Sequence, residues 1–434
     1  MRIWLIHMGE LVQSDGPDVR LYRLGLLAEQ LESRGHEVVR WIPTFVHTSK
    51  SQRFDCDTVT QISGRYQIRH IYAKGYANHR GLARMRFHRR IARRWEHLQQ
   101  ELPAPDLILA GMPTPEVCSA ARRISKHRNV PFVVDVRDLW PDVFYAVAPN
   151  WAAPVTRVLP IPMLLSSRRS LRAATAITGV SESFVAWGVH RAGRPINRRD
   201  MHFPLAYSPP RVSAESARAA TEKWRETISD QAFICLFLGT LSKSVDLMGV
   251  IESARQLAIQ SPGRFEWIIC GDGPTRKRLQ TAAADLPNVR MPGWVGGPDV
   301  VALLGLASVG LAPYAKGAIR SLPNKPFEYA AAGIPVVSSL TGELSELMDK
   351  HGFGTSYPSG DVRQLTKIIS GYANDEALRT VHGQSGRGLC ETELSPASVN
   401  QAFAEYLEDV VRESKLMWVS RSSWVRSRID KLFG

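Results

Sequence analysis

Along this chain, short β-branched or aromatic runs alternate with longer stretches whose apolar residues recur every three or four positions. That order predicts parallel strands joined by helices, an α/β fold with sheets covered on both faces. In the first half the pattern predicts strands at RIWLIH, HEVVRWI, QIRHIYA, LILAG, FVVDV and AITGVS. Between the first two, Leu24, Leu27, Ala28 and Leu31 share one face of a helix from about Leu21 to Arg34, closed by Gly35. The pattern stalls at MHFPLAYSPPRVS, where prolines cluster without apolar periodicity, and this marks a linker. Beyond it, FICLFLGTL, FEWIICGDG, NVRMPGWV, VGLAPY and IPVVSS predict a second sheet. The expected organisation is two doubly wound, Rossmann-like domains, residues 1–205 and 206–395, facing each other across a cleft, with a helical tail at 396–434.

Length agrees, because 434 residues exceed one ordinary core. Hydrophobic residues at 44% and charged residues at 22% belong to a globular chain. The five cysteines are scattered, odd in number and without C-x-x-C spacing, which argues against a disulfide framework or a zinc site and leaves most of them as small buried apolar residues in a reducing cytosol. The N-terminal MRIWLIHMGE reads as a first strand rather than a signal peptide. The apolar stretch VFYAVAPNWAAPVTRVLPIPMLL is broken by four prolines and Arg157, so it gives no spanning helix. A formal net charge of +14 attracts nucleic acid, anionic lipid and phosphorylated small molecules alike, and does not choose among them.

The choice comes from loops. FLGTLSKSVDL ends a strand at Gly239, supplies Lys243 and starts a helix near Asp246, so backbone N–H groups and an ammonium can receive phosphate oxygens. CGDGPTRKRL repeats the arrangement with Gly271 and Gly273, and MPGWVGGPDV puts Trp294 where a base can rest. An ordinary β-to-α turn is the alternative for each glycine loop, and simple packing for the tryptophan. In SLPNKPFEYAAAGIPVV, Pro323 fixes a turn ahead of Lys325, Glu328 and Tyr329 are expected in the first helical turn, and the alanines let the helix lie close to the sheet before Gly333 ends it. A lysine at a helix N-terminus disfavours the helix and favours a bound diphosphate. Glu328 can accept ribose hydroxyls. A plain Lys325–Glu328 surface pair is the alternative reading of the same spacing.

These blocks resemble the family 4 glycosyltransferases, retaining enzymes of the GT-B fold. GMPTPEVCSAARRISK, PFVVDVRDLWPD, AITGVSESF, IICGDGPTRKRL and LPNKPFEYAAAGIPVVSSLTGELSEL are similar, in order and spacing, to the bacterial surface-polysaccharide branch. The resemblance implies transfer of a hexose from a UDP- or GDP-sugar to a hydroxyl of a glycan carried on a polyprenyl diphosphate, with no metal and no cofactor. With the loops above, it implies donor contacts from Gly239, Lys243, Gly271, Gly273, Trp294, Pro323, Lys325, Glu328, Gly342 and Glu346. Lys325, Glu328 and Asp138 would serve the reacting groups, and Asp15, Gly16, Arg20, Arg23 and Arg137 the acceptor. The second glutamate of the family's E-x7-E motif falls at Glu328, but Arg320 stands where the first would be, and Thr240 replaces a family arginine. Arg137 and Asp138 occupy the place of the family's His-Asp pair, with a helix N-cap as the alternative role for Asp138.

HRGLARMRFHRRIARRWEHL, at 79–98, carries seven arginines beside Leu82, Met85, Ile91, Trp95 and Leu98 at near-helical spacing. The tail interleaves Trp418, Trp424 and Phe433 with lysine and arginine. Both read as helices lying on an anionic membrane, so the expected location is the cytoplasmic face of the cell membrane, with a solvated face of a core helix as the alternative for 79–98. Two rival functions remain at this level. A non-hydrolysing sugar-nucleotide epimerase would share fold and donor, and a nucleic-acid-binding protein would explain the charge, although no recognition helix, zinc spacing or stacking platform accompanies it.

Overall fold

A computed structural model describes residues 1–16, 19–47, 49–77, 82–140, 142, 161–207, 209–210, 212–229, 231–318 and 321–433, with side chains described up to 416 except that of Leu82. The chain divides into two compact units, one formed by Met1–Pro17, Leu21–Pro204 and Val399–Gly434, the other by Asp18–Arg20 and Leu205–Ser398.

The first unit is built on β1 (Arg2–Ile6), β2 (Glu37–Pro43), β5 (Thr58–Gln61), β6 (Tyr66–Ile71), β7 (Leu107–Met112), β8 (Phe132–Val136), β9 (Ala176–Gly179) and β10 (Met201–His202), in the order β10-β9-β8-β7-β1-β2-β6-β5. β3 (Phe45–Val46) and β4 (Ser51–Gln52) make a separate antiparallel pair. β1 is central: Ile3 is in register with Val38 of β2 on one side and Leu107 of β7 on the other. A strand covered on both faces has no polar face to show, and Ile3, Trp4 and Leu5 are fully buried. Trp4 and Trp41 meet edge to face at 5.8 Å, and Trp95 extends the cluster at 6.2 Å from Trp41.

Among the described residues, its helices before the last are α1 (Arg23–Ser33), α2 (Leu82–Leu98), α3 (Pro115–Arg128), α4 (Ile161–Ala173) and α5 (Glu182–Ala192). Leu24, Leu27, Ala28 and Leu31 of α1 are all fully buried, as their spacing requires. Trp95 also corrects one expectation. It and Ile91 of α2 are fully buried in this unit, so the apolar stripe serves the core and is not a membrane face, while Arg86, Arg89, Arg90, Arg93 and Arg94 are exposed. Arg80 lies outside the described residues, as do the side chains of Trp418, Trp424 and Phe433 and most of the proline-broken apolar stretch. No helix among the described residues is long and apolar enough to cross a membrane.

The second unit contains α6 (Ala214–Arg225), β11 (Phe233–Leu238), α7 (Leu247–Gln260), β12 (Phe265–Cys270), α8 (Arg276–Ala282), β13 (Val289–Gly293), α9 (Gly297–Leu306), β14 (Val309–Ala312), α10 (Asn324–Ala331), β15 (Val336–Ser338), α11 (Glu343–His351), β16 (Gly354–Ser356), α12 (Val362–Asn374) and α13 (Glu376–Glu391). The sheet runs β13-β12-β11-β14-β15-β16, all parallel. Ile234, Leu236 and Leu238 of β11 enter one core layer, and Phe233, Cys235 and Phe237 the other, so the two-residue period divides one strand between two cores. The last helix, α14 (Pro396–Phe433), passes at Val399 into the first unit, where Phe403 stacks on Phe203 at 4.3 Å. All five cysteines are free, and four are buried as expected of most of them, while Cys56 is exposed.

Candidate functional site

In the second sheet the strand order reverses between β11 and β14. Open parallel sheets bind ligands beyond the carboxyl ends of their strands at such a point, because the helices that follow diverge to opposite faces and leave a crevice. The loop after β11 begins at Gly239 and that after β14 leads to Lys325, so the two sequence motifs border the same crevice. Packing joins them closely. A Cβ at Gly239 would lie 3.7 Å from Lys325 Cε, and one at Gly271 would overlap the Gly239 carbonyl oxygen at 1.7 Å. Gly271 also has φ +134°, so only glycine allows this closure of backbone on backbone. Leu241 N–H donates to Asp272 O at 2.9 Å, and Asp246 N–H to Pro313 O at 2.6 Å, fastening the Gly239 loop to its neighbours on both sides. Asp246 then caps α7 by accepting from Gly249 N–H at 3.1 Å.

The position of α10 is set by Tyr329. This side chain is fully buried, its hydroxyl accepts from Leu238 N–H at 2.8 Å, and its ring lies against Gly310 of β14, where a Cβ would approach Tyr329 Cγ to 2.1 Å. The missing side chain at 310 thus admits the ring that anchors α10. Pro323 is the N-cap residue, so Glu328 and Tyr329 fall in the second turn, which corrects the expectation that they lie in the first. The alanine face also meets α13, with Ala330 opposite Gly386, in addition to the sheet.

Glu328 is buried and both its oxygens are engaged: Oε2 accepts from Lys325 Nζ at 2.9 Å, and Oε1 from Arg20 Nη1 at 3.0 Å. Arg20, which counts with this unit, lies over the Tyr207 ring at 4.5 Å. The Lys325–Glu328 pair is therefore real, but its carboxylate is buried rather than on the surface, and Lys325 keeps about a third of its side chain exposed. A carboxylate holds about four lone-pair sites, so Glu328 retains capacity for hydroxyl donors beside two cations.

Other expected donor residues are less confined. Lys243 and Glu346 are exposed, Trp294 is 79% exposed, Gly273 lies against the Leu241 carbonyl, and Gly342 is the N-cap of α11 with φ +86°. Arg320 lies outside the described residues, and Thr240 is exposed.

The first sheet reverses between β1 and β7, and polar residues gather after β1 and β8. Asp15 is held by Arg53 and by Val12 N–H at 2.9 Å, and Gly16 follows it. Arg137 donates to the buried Glu10, whose other oxygen accepts from buried Arg40 at 2.7 Å. Burial alone would raise the Glu10 carboxyl, but the Arg137 and Arg40 guanidiniums override it and hold it at about 2. His7 sits in the same cluster, and burial followed by the Arg137 charge holds its imidazole near 3, neutral at physiological pH. Asp138 accepts from Leu139 N–H at 2.9 Å. Arg23 corrects the expectation of an acceptor contact: it is buried, bidentate to Asp135 at 2.9 Å, and donates to Phe203 O at 2.6 Å, so it ties the sheet to the chain leaving β10. His7 and Glu10 escaped the sequence reading, although polar residues directly after an unbroken apolar strand were the available signal. Among the described residues no three His, Cys, Asp or Glu side chains could hold a metal ion.

Residues 232–375 match the model of the family described as glycosyl transferases group 1. A putative colanic acid biosynthesis glycosyltransferase, WcaL of Escherichia coli (strain K12), is 30% identical over 177 residues, covering 39% of this chain and 43% of that protein. The chain spans about half the length of the curated relatives it matches. Among solved structures, sucrose-phosphate synthase from Thermosynechococcus elongatus superposes with a TM-score of 0.69 at 15% identity, covering 95% of this chain and 99% of that one. Anabaena Alr3699/HepE, in complex with UDP-glucose, gives 0.63 at 15% identity, covering 94% and 100%. Residues 232–375 are thus similar to the group 1 glycosyl transferases, and the chain has the GT-B fold of two Rossmann-like domains that the solved structures share.

Proposed function

We propose that the protein is a retaining glycosyltransferase that moves a hexose from a nucleotide diphosphate sugar to a hydroxyl of a glycan in bacterial surface-polysaccharide synthesis. The observation that carries this reading is the convergence of Lys325, Glu328, Gly239 and Gly271 at the switch point of the second sheet. Breaking the anomeric C–O bond places negative charge on the departing diphosphate, and the Lys325 ammonium offsets that charge. Glu328 accepts the ribose hydroxyls. The acceptor oxygen bonds to the anomeric carbon on the face from which the diphosphate leaves, and its proton passes to the leaving phosphate oxygen. Asp138 orients hydroxyls, and Arg137, held by Glu10, serves the acceptor side.

The UDP-glucose complex of a protein with the same fold supports a nucleotide-sugar donor, and the colanic acid relative supports a glycan acceptor. The matches favour transfer over epimerisation or nucleic-acid binding. The exposed arginines of α2 fit a cytoplasmic enzyme resting on an anionic inner leaflet, where a polyprenyl-diphosphate-linked acceptor would be met. The test is to incubate the protein with UDP-, GDP- and dTDP-hexoses and a polyprenyl-diphosphate-linked glycan. Acceptor-dependent release of nucleoside diphosphate, with the anomeric configuration retained by NMR, is expected; epimer formed without acceptor would replace the reading.

A further inference from the structure

A cavity lies in the first unit at the amino ends of its strands, opposite the carboxyl ends that Asp15 and Arg137 follow. It has a volume of about 810 Å³ and opens where β7, β8 and β9 begin, between α3 and the described part of α14. Arg122 and Lys126, one helical turn apart on α3, line it together with Asp106, Asn129, Thr175 and Lys415.

The charges in this cavity do not cancel. Asp106 is the carboxylate of the lining, and both its oxygens are engaged: Oδ2 accepts from Arg2 N–H at 2.8 Å and Oδ1 from Lys415 Nζ at 2.7 Å. Lys415 is therefore neutralised, whereas neither Arg122 nor Lys126 takes part in an ion pair among the described residues. Lys126 has an ordinary reason to be where it is, since a cation in the last turn of a helix suits the macrodipole. Arg122, in the middle of α3, has none, and its Nε is buried without a hydrogen-bond partner among the described residues. A buried donor without an acceptor costs free energy unless something arrives to accept from it. The forked guanidinium matches two oxygens of a phosphate, a lysine one turn away adds a point charge, and the Asn129 amide adds further donors.

We infer that this cavity is a binding site for a phosphate monoester or diester, separate from the proposed donor site. The phosphate can come from a soluble metabolite or from a lipid headgroup, and α14 continues from Lys415 into a basic, aromatic sequence. The 434-residue chain is titrated with inorganic phosphate by calorimetry, and sedimented with vesicles of about 30% phosphatidylglycerol in phosphatidylcholine. Arg122→Gln/Lys126→Gln is expected to weaken phosphate binding by tenfold or more, while Lys350→Gln/Lys367→Gln, at exposed positions of α11 and α12, leaves it unchanged. Weakened vesicle binding in the first variant identifies a lipid source; unchanged vesicle binding with lost phosphate binding identifies a soluble one. Lys126→Glu, at an exposed position, repeats the test should the double variant fold poorly. Phosphate and vesicle binding within twofold of wild type in Lys126→Glu and in the double variant would overturn the assignment.

Discussion

Gly310→Ala tests how the fold positions the proposed chemistry. The added Cβ would lie 2.1, 2.4 and 2.6 Å from Cγ, Cδ2 and Cβ of Tyr329. Those atoms form the root of the side chain, so rotation of the ring cannot relieve the clash, and α10 must retreat from β14. Restoring contact distances of about 3.5 Å requires movement on the order of 1 Å. Overpacking of this kind costs about 1–3 kcal/mol. Retreat also strains the bond from Leu238 N–H to the Tyr329 hydroxyl. Because Lys325 and Glu328 ride on the same helix, a displacement of about 1 Å should lower turnover by roughly 100-fold. Urea unfolding and initial rates of transfer read the two effects. Gly310→Ala combined with Tyr329→Leu should be less damaged than the sum of the single changes, since the pair shares one contact. An alanine variant with wild-type stability and rate would refute the claim that this contact sets α10.

Further outcomes follow from the same structure. Glu328→Gln leaves Lys325 and Arg20 without their shared carboxylate, so stability should fall by roughly 3 kcal/mol in urea unfolding; affinity for inorganic pyrophosphate should rise while that for a nucleotide sugar falls. Glu10→Gln strips the buried Arg40 of its carboxylate and should cost about 3–5 kcal/mol at pH 7, with the difference from wild type shrinking as pH falls from about 4.5 towards 2, where the folded carboxyl itself becomes protonated. His70 and His88 are buried, and burial first, then Arg53 and Arg84 respectively, hold them near pH 4 and 3. The unfolded chain takes up protons below about 6.5 while these two groups in the folded chain do not, so stability should drop on acidification by about 1.4 kcal/mol per pH unit for each. Urea midpoints at pH 7 and 5.5 check this, and His70→Gln with His88→Gln should flatten the slope.

The long central strands were legible because a strand buried on both faces is written as an unbroken apolar run, as in Phe233–Leu238. β5, β10 and β16 were not, since short edge strands such as Thr58–Gln61 alternate with solvent and look like loop. The glycine motifs were readable as turns, but the closure of Gly271 onto the Gly239 carbonyl depends on two residues 32 positions apart meeting across neighbouring strands. Ion pairing was the least visible layer. The spacing of Lys325 and Glu328 allowed their contact, yet no local pattern shows that Glu328 is buried or that Arg20 shares it. Arg23 was expected at the acceptor; its partner Asp135 lies 112 residues away in a strand that reads as apolar. The stripe of α2 was found correctly as an apolar face, and its burial against Trp41 followed from packing that periodicity does not contain.

Calorimetric titration of the wild-type protein and Lys325→Ala with UDP-, GDP- and dTDP-sugars addresses the central claim most directly. Removing one charge-assisted contact of about 1.5–3 kcal/mol should weaken the bound nucleotide sugar by roughly 10- to 100-fold. Equal affinity in the two proteins, or no binding of any nucleotide sugar by the wild type, would contradict it.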